Sequence, residues 1–134
     1  MAKDKRPLSA RTRIVHGSRP KEGETRPVNQ PVVRASTVLY KDMPTFRSVR
    51  KRRSEGERVF AYGTGGTPTT FALEDMVADI EGGYRTKLAS SGLLAIAIAL
   101  QAYLRPGDHV LVTDGTYEAV RRFADVWAKP FGIE

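Results

Sequence analysis

The stretch "LASSGLLAIAIAL", residues 88–100, decides how the rest of the chain is read. From Leu93 to Leu100 every residue is Leu, Ile or Ala, a composition that favours helix. Ser90, Ser91 and Gly92 stand just before that run, where a chain turns into a helix and where serine is a natural cap. The reading is of a buried helix that opens on a small, polar turn with bare backbone. Working outward, "YRTKLA" at 84–89 precedes it as a short strand. The helix ends near Leu104, and "RPGD" makes a turn. "HVLVT" at 109–113 then has the apolar, β-branched bias of a buried strand. "DGT" is a loop. "YEAVRRFADVWAK" follows as an amphipathic helix with Val120, Phe123, Ala124 and Trp127 inward, stopped by Pro130.

Upstream, "TPTTFALEDMVADIEGG" at 67–83 carries a helix signature at both ends. Thr67 is an N-cap and Pro68 suits the first helical position. Glu74 and Asp75 are expected near the positive end of the dipole. Leu73, Val77 and Ile80 form the inward face, and Gly82-Gly83 ends the helix. Helices alternating with strands imply an α/β fold with a mainly parallel sheet. Such sheets bind ligands at the carboxyl ends of their strands. The loops at 90–92 and 114–117 fall on that side.

Residues 1–60 differ in character. Pro7, Pro20, Pro27, Pro31 and Pro44 recur without helical periodicity, and the segment reads as an extended, basic N-terminal arm. It holds 16 Lys/Arg against 6 Asp/Glu, a net of +10, whereas 61–134 hold 6 against 9, a net of −3. "PVVRASTVLY" is a short extended segment, and "FRSVRKRRSEGER" is strongly basic. The domain division expected is an arm at 1–60 and the first part of an α/β ligand-binding domain at 61–134. With no cysteine, disulfides, zinc–thiolate sites and a cysteine nucleophile are excluded, in keeping with a reducing, cytoplasmic setting. The basic start lacks the apolar core of a secretory signal, and the 93–100 run is too short to span a bilayer. His16 and His109 are isolated from other ligand types, so no metal site is expected.

Three stretches carry chemistry. The Ser-Ser-Gly turn aims free backbone N–H groups at the mouth of a helix, an anion cradle of the kind that takes phosphate; the competing reading is a plain serine cap. "YGTGGTPTT" at 62–70 is a glycine loop before a capped helix, or else a linker. Tyr117, just past "HVLVT", either lies flat on a planar ligand or packs into the core.

Taken in order and at this spacing, "YGTGGTPT", "LASSGLLAI" and "RPGDHVLVTDGTYE" resemble the pyridoxal-phosphate (PLP) enzymes of cysteine and methionine metabolism, which have the aspartate-aminotransferase-like fold type I. The resemblance runs from about residue 12 to 134. It implies that Gly92 and Leu93, with Ser91 beside them, hold the cofactor phosphate, and that Tyr117 stacks on the pyridine ring with a share in proton transfer. It implies that Tyr62 reaches the phosphate of a neighbouring subunit. The arginine that accompanies this tyrosine in the family is Thr64 here, which replaces a charge-assisted partner with a hydroxyl.

The activity implied is β-elimination of cystathionine, an amino-acid substrate, to homocysteine, pyruvate and ammonia. γ-Elimination and γ-replacement by relatives of the same fold remain open. The implied assembly is a homodimer with shared sites, paired into a tetramer. The family's Schiff-base lysine, the aspartate for its pyridinium nitrogen and its arginine for the substrate carboxylate lie further along than Glu134. Lys87 and Lys129 match none of them, and the chain is expected to be the N-terminal third of an enzyme. A different class is open through "RSVRKRR": a non-catalytic basic module that binds nucleic acid through phosphate neutralisation. No interleaved aromatics or nucleic-acid-binding motif accompanies the run, so neither nucleic acid nor membrane is expected as a partner.

Overall fold

The computed structural model describes residues 8–17, 19–20 and 25–134. Two compact units form, Met1–Lys87 and Leu88–Glu134.

Among the described residues the first unit is built on three α-helices, α1 (Ala10–His16), α2 (Met43–Ser54) and α3 (Pro68–Glu81). The part of 1–60 that reads as irregular thus carries two of them. Ser9 caps α1, accepting from the Thr12 amide. Asp42 caps α2, accepting from the Thr45 amide at 2.8 Å. Pro44 does not force extension here: it lies in the first turn of α2, where a missing N–H costs nothing. Pro7 lies outside the described residues.

Helix α3 has the boundaries its sequence predicts. Thr67 and Thr70 form a reciprocal cap with Pro68 in the first turn, and Gly82 closes the helix in the left-handed conformation at φ 65°. Glu74 and Asp75 are the seventh and eighth residues of the helix, beyond the first-turn amides, so the expected dipole contact is not made. The inward face is also different. Leu73 is 51% exposed, while Glu74 is buried at 2%. Ionic partners gather on the Glu74 side, as described below.

Helix α1 docks on α3 through Arg13, which donates to the Asp79 carbonyl at 2.9 Å and to its carboxylate at 3.1 Å. The extended stretch before α2 is tied to the start of α3: Thr69 Oγ1 accepts from the Val33 amide at 2.7 Å and donates to the Pro31 carbonyl at 2.8 Å.

The second unit holds α4 (Gly92–Tyr103) and α5 (Glu118–Phe123), which pack on each other. Helix α4 begins and ends as read from the sequence, with Ser91 as N-cap and Leu104 as C-cap. It is not fully buried: Ala97 is buried, but Leu93, Leu94 and Ile98 are 41%, 42% and 45% exposed. The 117–129 helix is regular only to Phe123. It widens into a π-helical turn over Ala124–Ala128 and tightens into a 3₁₀ turn over Lys129–Phe131, which takes in Pro130. Phe123 stacks on Trp127 with centroids 5.3 Å apart, and Phe131 lies tilted against Trp127 at 5.5 Å. No helix among the described residues is long and apolar enough to cross a membrane.

Neither 84–89 nor 109–113 forms a strand, and no strand occurs among the described residues. A strand exists only where a second backbone runs beside it, and Leu111 is 96% exposed. Two backbone bonds nevertheless join this stretch to the last residue. The Glu134 amide donates to the Asp108 carbonyl at 3.0 Å, and the Val110 amide donates to the Glu134 carbonyl at 2.6 Å. Those two bonds flank His109 in the slanted pattern of a parallel pair. The Gly107 amide adds a bond to the Gly132 carbonyl at 2.9 Å, and the Arg105–Asp108 turn is closed by two further bonds.

Candidate functional site

The residues singled out in the sequence lie in two glycine-containing loops, one in each unit, and at the start of α5.

In the first unit the loop at 62–66 is a 3₁₀ turn, Gly63–Gly65, clamped on several sides. The Gly63 amide donates to the Ser36 carbonyl at 2.7 Å. A Cβ on Gly63 would stand 1.8 Å from the Ala35 carbonyl oxygen, so no side chain fits there. Gly66 adopts φ 113°, and a Cβ on it would meet the Phe71 ring at 2.3 Å. Phe71 is held in turn by Arg58, whose guanidinium lies 4.9 Å from the ring centroid. Arg58 pairs with the carboxylates of Asp75 and Glu74, and the hydrogen bond to Asp75 raises its pKa above the ordinary arginine value. Glu74 also receives Lys87 at 3.6 Å. The linker reading of this loop does not hold: both glycines serve close packing.

The turn presents two of the predicted side chains. Tyr62 is 40% exposed, and its phenol oxygen accepts from Ser36 Oγ at 3.1 Å. Thr64 is exposed. Ser36, Arg58 and Phe71 escaped the sequence reading. Ser36 touches Tyr62 across 26 residues, a separation that no local pattern signals.

In the second unit, Ser91 Oγ accepts from the Leu94 amide at 3.1 Å. The serine is therefore a cap, as the plainer reading had it. That does not use up the amides in front. Gly92 and Leu93 are the first two residues of α4, ahead of any intrahelical acceptor. Nothing stands within 4 Å of a Cβ placed on Gly92, and no acidic residue lies in the first turn. Two N–H groups without an acceptor among the described residues, the positive end of a 12-residue helix and a first turn free of carboxylates suit a phosphate ester by donor chemistry and by charge. Tyr117 is the N-cap residue of α5 and is 68% exposed, so its ring is not core. The two lysines that follow the glycine loop are both in ion pairs, Lys87 with Glu74 and Lys129 with Asp125 at 2.5 Å.

The chain is 38% identical over 120 residues to a cystathionine beta-lyase of Bordetella avium, covering 88% of this chain and 30% of that one. It is 36% identical over 123 residues to the cystathionine beta-lyase MetC of Bacillus subtilis, covering 92% and 28%. Among solved structures it superposes on apo CalE6, a methionine gamma lyase from Micromonospora echinospora, with a TM-score of 0.73 and 30% identity, over 95% of this chain and 31% of that one. The chain thus spans less than a third of the length of the relatives it matches. The family match itself extends over residues 11–134 and takes in both loops and Tyr117, which makes this chain a member of the Cys/Met metabolism PLP-dependent enzymes.

Proposed function

We propose that the chain supplies the phosphate-binding part of a PLP-dependent carbon–sulfur lyase that cleaves cystathionine by β-elimination, releasing homocysteine, pyruvate and ammonia. The observation that carries this reading is the match to cystathionine beta-lyases along about nine-tenths of this chain.

On this reading the amides of Gly92 and Leu93 donate to the cofactor phosphate, with the Ser91 hydroxyl beside them. The α4 dipole adds to their charge, and bare backbone at Gly92 permits the close approach. The exposed ring of Tyr117 lies flat on the pyridine ring and fixes its plane, and its phenol is available to a substrate proton. When bound, the cofactor supplies an electron sink for the α-carbon of the amino acid. Tyr62, its phenol aimed by Ser36, serves the phosphate of a neighbouring subunit, so the working form is a homo-oligomer with shared sites. Such an enzyme acts in the cytoplasm, on an α/β scaffold whose parallel sheet continues the pairing begun at His109 and Glu134.

A γ-elimination reading is favoured by the structural likeness to a methionine gamma lyase. Expressing the full reading frame and incubating the product with cystathionine decides the matter. Pyruvate with a free thiol is the outcome expected. 2-Oxobutyrate in place of pyruvate would establish the γ reaction, and neither product would overturn the lyase reading.

A further inference from the structure

The cations of α2 and the turn after it sort into two sets. Lys51 pairs with Glu55 at 3.8 Å, Arg52 with Glu57 through two bonds, and Arg58 with Glu74 and Asp75. Arg47, Arg50 and Arg53 pair with no carboxylate among the described residues, and of these Arg50 and Arg53 fall together. They are three apart, so they share one face of α2. Both line a cleft of about 540 Å³ together with Tyr40, Phe46, Ser54 and Ala61. Arg50 is steadied by the Phe46 ring, 5.6 Å from its centroid, and Tyr40 is fixed by its bond to the Ala61 carbonyl at 2.9 Å.

Arg53 points at the glycine turn. Its Nη2 lies 3.7 Å, and its Cζ 3.9 Å, from the place a Cβ on Gly65 would occupy. Gly65 adjoins Thr64, and the same turn carries Tyr62. A planar guanidinium without a carboxylate, set beside half-buried glycine backbone and two exposed hydroxyl-bearing residues, is a site for a phosphate ester, which it binds through paired N–H donors.

We propose that Arg53, supported by Arg50, is a cofactor-binding residue that supplies the positive charge toward the PLP phosphate from the Tyr62–Gly66 turn, the charge that Thr64 cannot give. This rests on the PLP reading above. It assigns the role to a helix residue eleven positions before Thr64.

The test is titration of the apoprotein, made from the full reading frame, with two ligands: PLP, and pyridoxal, which lacks the phosphate. Arg53→Gln is expected to weaken PLP binding roughly tenfold to a hundredfold and to leave pyridoxal binding unchanged. Arg53→Lys should fall between, since a point charge replaces the fork. Adding Thr64→Arg to Arg53→Gln should restore most of the loss. Equal PLP affinity in Arg53→Gln and the unaltered protein would overturn the assignment while leaving the PLP reading intact. Equal losses for PLP and pyridoxal would overturn it too, as a folding defect. Failure of the unaltered protein to bind PLP would overturn both readings.

Discussion

The two glycine loops use the same residue for opposite ends. At 62–66 glycine faces inward: Gly63 lies against the Ala35 carbonyl and Gly66 under the Phe71 ring, and a side chain on either has no room. At 90–93 glycine faces outward, since a Cβ placed on Gly92 would have nothing within 4 Å and the residue fronts two free amides. In the first loop glycine is a packing requirement that serves to present Tyr62 and Thr64. In the second, on the proposed reading, it is an approach requirement that serves a phosphate. Mutation of one should read out as stability and of the other as affinity.

The largest expected effect is at Gly63. Gly63→Ala should destabilise the protein by about 3 kcal/mol, the upper part of the range for overpacking, because the obstruction is backbone and cannot swing away. Urea denaturation measures it. A loss under about 1 kcal/mol would mean that the 35–36 segment yields, and the contrast between the loops would weaken.

Gly92→Ala should leave stability in the same denaturation experiment within about 0.5 kcal/mol. Its PLP affinity should nevertheless fall on the order of tenfold, about 1.4 kcal/mol, as the methyl holds the phosphate off the amides. Lost stability with unchanged affinity would invert the comparison. Ser91→Ala should cost about 1 kcal/mol, since the Leu94 amide loses its acceptor. An unchanged midpoint would show that solvent caps α4 equally well.

The smallest effect concerns the scaffold behind the first loop. Hydrogen bonds from Thr45 hold the Asp42 carboxyl below its ordinary pKa, and the bond from Arg52 does the same for Glu57. Carboxyls with lowered folded values stabilise above their unfolded pKa and lose that contribution as pH falls through the folded ones. The helical Cα chemical shifts of Met43–Ser54 should therefore hold steady from neutral pH to about pH 5 and decline below about pH 4. Shifts unchanged at about pH 2.5 would show that α2 does not depend on either end.

Some of the missed elements were signalled. Ser9 before α1 and Asp42 with Pro44 before α2 are ordinary helix starts, obscured by the density of proline and charge around them. For Tyr117 the sequence leaves a ring on a planar ligand and a ring in the core both open, and position alone does not separate them; its exposure removes only the second.

The sequence by itself determined what is local. The limits of α3 and α4, the Ser91 cap, the Gly82 stop and the 105–108 turn follow from residues within about four positions of one another, because capping bonds close over that distance. The tertiary structure decided what depends on segments far apart in the chain. It buried Glu74 rather than Leu73, because Arg58 and Lys87 come to that face. It made Gly63 obligatory, because the Ala35 carbonyl crosses it, and it brought Arg53 to the turn that lacks an arginine. It also left 109–113 paired only as far as Val110 with Glu134, because a strand is a property of two backbones and not of one.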